Sequence, residues 1–325
     1  MARMSVGIDL GGTKCLAVAL DGTKVVHEAQ VPTPVGAEAI LDAMAAVALD
    51  VVSDATVGDG GTPIAVGVGA AGLVDRAGVL RFAPNLRGVD GLAVRAELER
   101  RLGLPVVVDN DATCAAWAER QLGSARGMDD VVVVTLGTGI GGGIVAGGRL
   151  ARGANGFAGE VGHMVVVKGG PACPCGKRGC WERFASGSGL GRLAREAAEA
   201  GRAGAVLALA GADPEAVRGE HVAAAARAGD AEAGEVLAEL GWWVALGLAN
   251  LANILDPEAF VVGGGLATLG DLLFDPIRAA FATLLEGAAF RPPIPIIPAS
   301  LGPRAGAIGA ACLAAESVGH AAAHT

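Results

Sequence analysis

The stretch Val6-Gly7-Ile8-Asp9-Leu10-Gly11-Gly12-Thr13-Lys14 decides how the rest of the chain is read. Residues 6–9 read as a short strand, which runs into a glycine turn carrying a threonine and a lysine. Residues 16–20 and 25–31 read as the next two strands, joined by a tight turn at Asp21-Gly22. The pattern recurs further on. Residues 130–135, mostly valine, read as a strand entering Gly137-Thr138-Gly139-Ile140-Gly141-Gly142-Gly143. Residues 260–262 read as a buried strand ending in Gly263-Gly264-Gly265.

The intervening stretches fill in an alternating pattern. Residues 37–52 are apolar at helical spacing, 58–62 form a loop, and 64–68 a buried strand. Residues 89–102 predict a helix and 106–109 another strand, with a helix from about Ala112. A cysteine-rich loop occupies about 168–181, mostly helical sequence runs from 186 to 255, and 306–316 predict a last apolar helix. Residues 292–298 are proline-dense, which suits an edge strand or a linker. Each half opens with a strand feeding a glycine turn. The expected fold class is therefore α/β, a duplicated architecture of two α/β domains with a central cleft.

Composition narrows the function classes. Hydrophobic residues are 52% and charged residues 18% of 325, which excludes a disordered chain. The net charge of −9 speaks against a dedicated nucleic-acid binder. The 52 glycines follow no collagen period, so they serve turns and close backbone approach. No apolar run of about 18 residues is read, so no membrane span is expected. The first residues lack the basic-then-apolar pattern of a leader, and a cytoplasmic location is expected. In a reducing compartment, six cysteines suggest metal binding before disulfides.

Glycine turns after strands suit phosphate, because backbone N–H groups without a neighbouring Cβ can approach anionic oxygens. Of the three turns, only the first carries polar partners. Asp9 could hold Mg²⁺ through water, and Lys14 could offset phosphate charge. Two other matches fail on context. Gly67-x-Gly69-x-x-Gly72 and Gly137-x-Gly139-x-x-Gly142 fit the dinucleotide pattern, yet Leu73-Val74-Asp75 and Ile144-Val145-Ala146 follow as strand rather than helix. Gly176-Lys177 resembles the end of a Walker loop, but Pro171 stands in place of its first glycine and Arg178 in place of its hydroxyl residue.

His163, Cys173, Cys175 and Cys180 fall within 18 positions. A Cys3His set is a closed tetrahedral zinc shell, and the surrounding Gly169-Gly170, Pro171, Pro174 and Gly176 let a short chain wrap an ion. The alternative is a loop in which cysteines happen to gather. A closed shell makes the metal structural, with the task of holding a polar loop. Glu160 and Glu182 are tethered to that loop and suited to accepting hydrogen bonds from several hydroxyls. Asp109-Asn110-Asp111 follows a strand, at the edge where α/β sheets bind ligands. One aspartate there could take a hydroxyl proton during phosphoryl transfer. It could equally cap the helix that follows, and both roles can hold together. Cys15, Cys114 and Cys312 read as buried thiols. Trp242-Trp243 reads as core or as a subunit contact.

These pieces resemble the ROK (repressor, open reading frame, kinase) family of sugar kinases, within the actin-like fold of hexokinase and Hsp70 ATPases. The matching pieces are Asp9-Leu10-Gly11-Gly12-Thr13-Lys14, Asn110-Asp111-Ala112, the stretch from Leu136 to Gly143, Gly159-Glu160-Val161-Gly162-His163, the stretch from Cys173 to Glu182, and Asp256-Pro257-Glu258 leading to Gly263-Gly264-Gly265. The resemblance implies an ATP-dependent hexose kinase, with glucokinase the favoured member. It implies Asp111 as base on the sugar 6-hydroxyl, and Asn85, Asn110, Glu160, His163 and Glu182 as sugar ligands. His163 would also join the three cysteines on zinc. Gly11, Gly12, Thr13, Gly137, Thr138 and Gly139 would flank the ATP phosphates, with Mg²⁺ alongside, and Gly263, Gly264 and Gly265 would lie near adenosine. It further implies a smaller N-terminal domain (1–111 plus about 304–325), a larger C-terminal domain (112–303) with the zinc loop, and a homodimer or homotetramer.

Two other classes fit the sequence less well. A sugar-responsive repressor needs a helix-turn-helix unit, and only eight residues precede Asp9. A sugar-binding protein without catalysis is disfavoured by Asp9, Asp111 and the phosphate turns together. The expected partners are a sugar and a nucleotide, with no nucleic acid and no membrane. Mannose, N-acetylglucosamine, N-acetylmannosamine, fructose and allose are the competing sugars, and discrimination among them turns on pocket shape.

Overall fold

The computed structural model describes residues 4–56 and 63–323, so the loop expected at 58–62 lies outside the described residues. The chain begins with strands β1 (Met4–Leu10), β2 (Lys14–Asp21) and β3 (Lys24–Pro32), helix α1 (Ala37–Thr56) and β4 (Pro63–Ala70). Two short strands follow, β5 (Leu73–Val74) and β6 (Leu80–Phe82), then α2 (Val94–Leu102), β7 (Val106–Asn110) and α3 (Asp111–Leu122). The second series starts with β8 (Val131–Leu136), β9 (Ile140–Ala146) and β10 (Arg149–Leu150). Helices α4 (Glu182–Ala185), α5 (Gly187–Glu199), α6 (Gly204–Leu209), α7 (Gly219–Arg227) and α8 (Ala231–Leu255) come next. The chain ends with β11 (Ala259–Gly263), α9 (Asp271–Leu284), β12 (Ile296–Pro298) and α10 (Ala305–Ala323).

The duplication read from the glycine turns is present in the topology. One five-stranded sheet runs β3-β2-β1-β4-β7 and the other β10-β9-β8-β11-β12, the same order of hairpin strands followed by crossover strands. In the first sheet β1 pairs antiparallel with β2 and parallel with β4, which pairs parallel with β7. In the second, β9 and β10 are antiparallel and β11 and β12 parallel. The proline-dense segment becomes β12, an edge strand, where prolines cost no ladder bond on the open side.

The chain divides into two compact units. The first holds Met1–Val133, Gly142–Gly159 and Ala299–Thr325, and the second Val134–Gly141 and Glu160–Pro298. The expected division, 1–111 plus about 304–325 and 112–303, likewise places the C-terminal helix with the N-terminal residues, but it puts α3 with the second unit, whereas here α3 belongs to the first, which is the larger. The reason lies in α10. A methyl group at Gly309 would overlap the carbonyl of Cys114 on α3, so the two helices touch backbone to backbone. Trp117 Nε1 on α3 also donates to Glu316 on α10 at 2.9 Å. Helix α3 therefore stays with α10 and the first sheet. Helix α10 lies on that sheet equally closely, since a Cβ at Gly7 or Gly67 would run into the carbonyls of Ala307 and Ala310. The α1 face of the same unit supplies Ile40, Leu41 and Met44, all fully buried.

One helix begins later than its pattern predicts. The apolar spacing of 89–102 extends to Val89 and Leu92, yet α2 starts at Val94. Leu92 instead bridges Leu80, and Gly91 donates its N–H to the Leu80 carbonyl at 2.8 Å with φ at +77°. In the second unit, α8 is long and apolar enough by length and composition to cross a membrane. It is the central helix of its unit: Gly247 lies directly against the Trp181 ring, and Gly241 against Pro276. The tryptophan pair on it divides. Trp243 stacks on Phe184 at 4.4 Å and its carbonyl accepts from Trp181 Nε1, whereas Trp242 is 40% exposed.

Candidate functional site

In the first unit, β1 delivers the glycine turn. Gly11 N–H donates to the Lys14 carbonyl at 3.0 Å and closes it. Thr33, just past β3, braces the turn from the side, with its hydroxyl on the Gly11 carbonyl at 2.7 Å and its N–H on that of Thr13 at 3.1 Å. Gly12 and Thr13 are left exposed. Asn85 sits against Gly12, so close that an added Cβ would lie 3.0 Å from the Asn85 carbonyl. Gly12 is thus needed for approach. Asp9, the last acid of β1, lies against Gly306 near the start of α10.

Burial pushes the Asp9 carboxyl up to about 7, the neighbouring Asp111 charge adds to the rise, and Lys14 opposes it. The ordinary value is 3.8, so the folded state binds this proton more tightly than the unfolded chain. Asp9 then imposes no penalty well below pH 3.8. The penalty grows as pH rises toward 7 and is complete above it. At about 1.4 kcal/mol per unit, its upper limit is about 4 kcal/mol. Asp9→Asn is accordingly expected to raise the melting temperature at pH 8 and to raise it only about a quarter as much at pH 4.5. Thermal melts at the two pH values check this, and a lower melting temperature at pH 8 would contradict it.

Asn110 and Asp111 open α3. Both readings of this acidic turn have a physical counterpart. Asn110 is the helix cap, its Oδ1 accepting from Thr113 N–H at 3.0 Å while its Nδ2 donates to the Gly72 carbonyl at 3.1 Å. Asp111 is the first helical residue, its Oδ1 accepting from Ala112 N–H at 2.9 Å. Burial holds the Asp111 carboxyl above the usual range, and its backbone hydrogen bonds pull the other way. Asp109 is buried, and its Oδ2 accepts from Arg152 Nε at 2.5 Å. No sequence pattern pointed to Arg152. Cys15, Cys114 and Cys312 are buried as expected.

In the second unit the expected ligands gather. The donor atoms of His163, Cys173, Cys175 and Cys180 all lie within 4.8 Å of one another. Cys175 Sγ and Cys180 Sγ are 3.7 Å apart, as are Cys173 Sγ and His163 Nδ1. Metal–sulfur bonds of about 2.3 Å in a tetrahedron put two sulfurs about 3.8 Å apart, whereas a disulfide needs about 2.0 Å. The donor set therefore fits a zinc ion. Glycines shape the loop: Gly176 and Gly179 have φ of +86° and +78°, and a side chain at Gly179 would strike the Val167 carbonyl. Burial first, and then the Glu182 carboxylate, pushes the Cys173 thiol up, a shift that a cation among the donors would reverse.

Glu160 and Glu182 flank the imidazole. Glu160 Oε2 is 3.7 Å from His163 Nε2, and Glu182 Oε1 is 3.8 Å from Nδ1 and 3.0 Å from Cys173 Sγ. The other Glu182 oxygen accepts from Ile140 N–H at 3.4 Å, which joins the cysteine loop to the second glycine turn. That turn is carried by the start of α5: Gly187 N–H donates to the Gly137 carbonyl at 2.8 Å, and the Ser188 hydroxyl donates to that of Thr138. Ser188 was missed in the sequence, although Ser186-Gly187-Ser188 ahead of a helix is a capping signal. The third turn is held by Gly264, whose φ is +86° and whose neighbour is the Leu136 backbone.

The ROK family model matches residues 5–317. A glucokinase of Streptomyces coelicolor is 44% identical over 317 residues, covering 96% of this chain and 98% of its own. The structure of a ROK family glucokinase from Streptomyces griseus, in complex with glucose and AMPPNP, superposes with a TM-score of 0.84 at 43% identity, over 96% of this chain and 99% of that one. The ROK hexokinase of Thermus thermophilus gives 0.82 at 36% identity, over 98% and 100%.

Proposed function

The chain belongs to the ROK family, and from that premise we propose that it is an ATP-dependent glucokinase, which transfers the γ-phosphoryl group of ATP to the 6-hydroxyl of glucose. The observation that carries the reading is the gathering of Glu160, His163 and Glu182 on one Cys3His donor set, in a chain similar end to end to glucokinases. His163, Cys173, Cys175 and Cys180 would hold zinc, which supplies rigidity to the loop. The two glutamates and His163 Nε2 take hydroxyls of the sugar. Asn85 and Asn110 are assigned to it as well, and the second amide hydrogen of Asn110 is available for that bond.

Asp111 is the base. As the sugar oxygen bonds to the γ-phosphorus and the bond to ADP breaks, the hydroxyl proton passes to Asp111. A carboxylate whose affinity for protons is raised by burial is a better acceptor than an ordinary one. Gly11, Gly12, Thr13, Gly137, Thr138 and Gly139 flank the phosphates: the N–H groups of Gly11 and Gly137 close the two turns, and Gly12, Thr13, Thr138 and Gly139 offer theirs to the anion. Asp9 would hold Mg²⁺ through water, Lys14 offsets charge, and Gly263, Gly264 and Gly265 flank adenosine. Phosphoryl transfer asks for such positioning and charge stabilisation more than for covalent chemistry.

The test is a panel of sugars assayed for ADP release: glucose, mannose, fructose, allose, N-acetylglucosamine and N-acetylmannosamine. Glucose is expected to give the highest kcat/KM, by at least about tenfold, since one hydroxyl bonded by a buried polar group is worth that much discrimination. A higher value for an acetamido sugar would reassign the substrate while leaving the kinase reading intact.

A further inference from the structure

We infer that Arg152 is a positioning residue for Asp111, acting through the Asp109 carboxylate two residues before the base. The inference rests on the reading of Asp111 given above. Both oxygens of Asp109 are in use. Oδ2 accepts from Arg152 Nε at 2.5 Å, and Oδ1 accepts from the Asn110 N–H at 2.9 Å. The Asp109 side chain is only 7% exposed, so this carboxylate has no solvent to replace its partner. It couples Arg152 to the backbone of the turn that presents Asp111.

That turn needs such a support. It ends β7, an edge strand, so the sheet holds Asp109 and Asn110 from one side only, through β4 at Gly69 and Ala70. The remaining supports form a closed circuit within the first unit. Asn110 Nδ2 reaches the Gly72 carbonyl, and Gly72 leads into β5 and on to Arg76. Arg76 Nε lies 3.2 and 3.0 Å from the carbonyls of Gly153 and Ala154, and its N–H donates to Asn155 at 3.2 Å. Residues 153–155 continue from Arg152, which returns the circuit to Asp109. Arg152 is the one member of the circuit that bears on Asp109 by charge. Removing its cation leaves a buried carboxylate without its charge partner, and the movement of that carboxylate toward water tilts the turn. Displacement of a reacting group by about 1 Å can cost about a hundredfold in rate.

The experiment compares Arg152→Met, Arg152→Lys and Asp109→Asn with the wild type and with Asp111→Asn, measuring kcat, both KM values and the melting temperature. Arg152→Met and Asp109→Asn are expected to lower kcat by about 10- to 100-fold, with KM for sugar and ATP within about threefold of wild type. Arg152→Lys is expected to recover most of kcat, because the site uses one charged donor on one oxygen. The inference is overturned if either folded variant keeps kcat within about twofold, or if the loss sits in KM. It is also overturned if neither variant folds, since the pair is then a structural tie alone. An inactive wild type, or an active Asp111→Asn, refutes the parent reading instead and shows in those two controls.

Discussion

Asp111→Asn is expected to lower kcat for glucose phosphorylation by about 10²- to 10⁴-fold, the range that a positioned general base contributes. Glucose affinity is expected to stay within about threefold, because the amide keeps the size of the carboxylate and can still bond a hydroxyl. The fold is expected to survive as well. Asparagine retains an acceptor for the Ala112 N–H that now meets Asp111 Oδ1 at 2.9 Å. It also removes a charge that burial disfavours, so the melting temperature should hold or rise. The same substitution relieves Asp9, whose carboxyl is pushed up partly by the Asp111 charge. Steady-state kinetics with calorimetric sugar binding check all three points. Near-normal turnover in a folded variant would remove Asp111 from the role of base.

The second large effect concerns the metal. One zinc per chain is expected, bound by His163, Cys173, Cys175 and Cys180. Its removal by a strong chelator, or the substitution Cys180→Ser, should weaken sugar binding by more than about 100-fold and expose the cysteine loop to protease. Cys180 is fully buried and cannot be replaced by water without loss of the closed shell. Structural zinc in small sites contributes roughly 10 kcal/mol or more to folding of the segment it organises. Because the donors bind as thiolates, protons compete with the ion, so acid should release it. Elemental analysis together with calorimetry is the check. A metal-free protein that binds sugar normally would end the structural-metal reading.

Much of this was legible because the decisive residues are close in sequence. The donor set spans 18 positions, so spacing alone revealed it, and the structure then brought the four donor atoms within 4.8 Å. The first glycine turn was legible for the same reason, since strand, turn, Thr13 and Lys14 are contiguous. The start of α2 was not, because Val89 and Leu92 continue a helical spacing while Leu92 actually bridges Leu80. Arg152 was invisible for a different reason. Its partner Asp109 lies 43 residues away, and a single arginine carries no pattern until the fold closes the distance to 2.5 Å. The place of α3 was not legible either, since it depends on a methyl-free contact between Gly309 and the Cys114 carbonyl.

Side-by-side conversion of glucose and ATP by the wild type and Asp111→Asn, followed by direct detection of the sugar phosphate, bears on the central proposal without intermediaries. The wild type should yield glucose 6-phosphate and ADP in equal amounts, while the variant binds glucose and forms almost none. Phosphorylation at another hydroxyl, or equal product from both proteins, would contradict the assignment of the base and of the reacting oxygen.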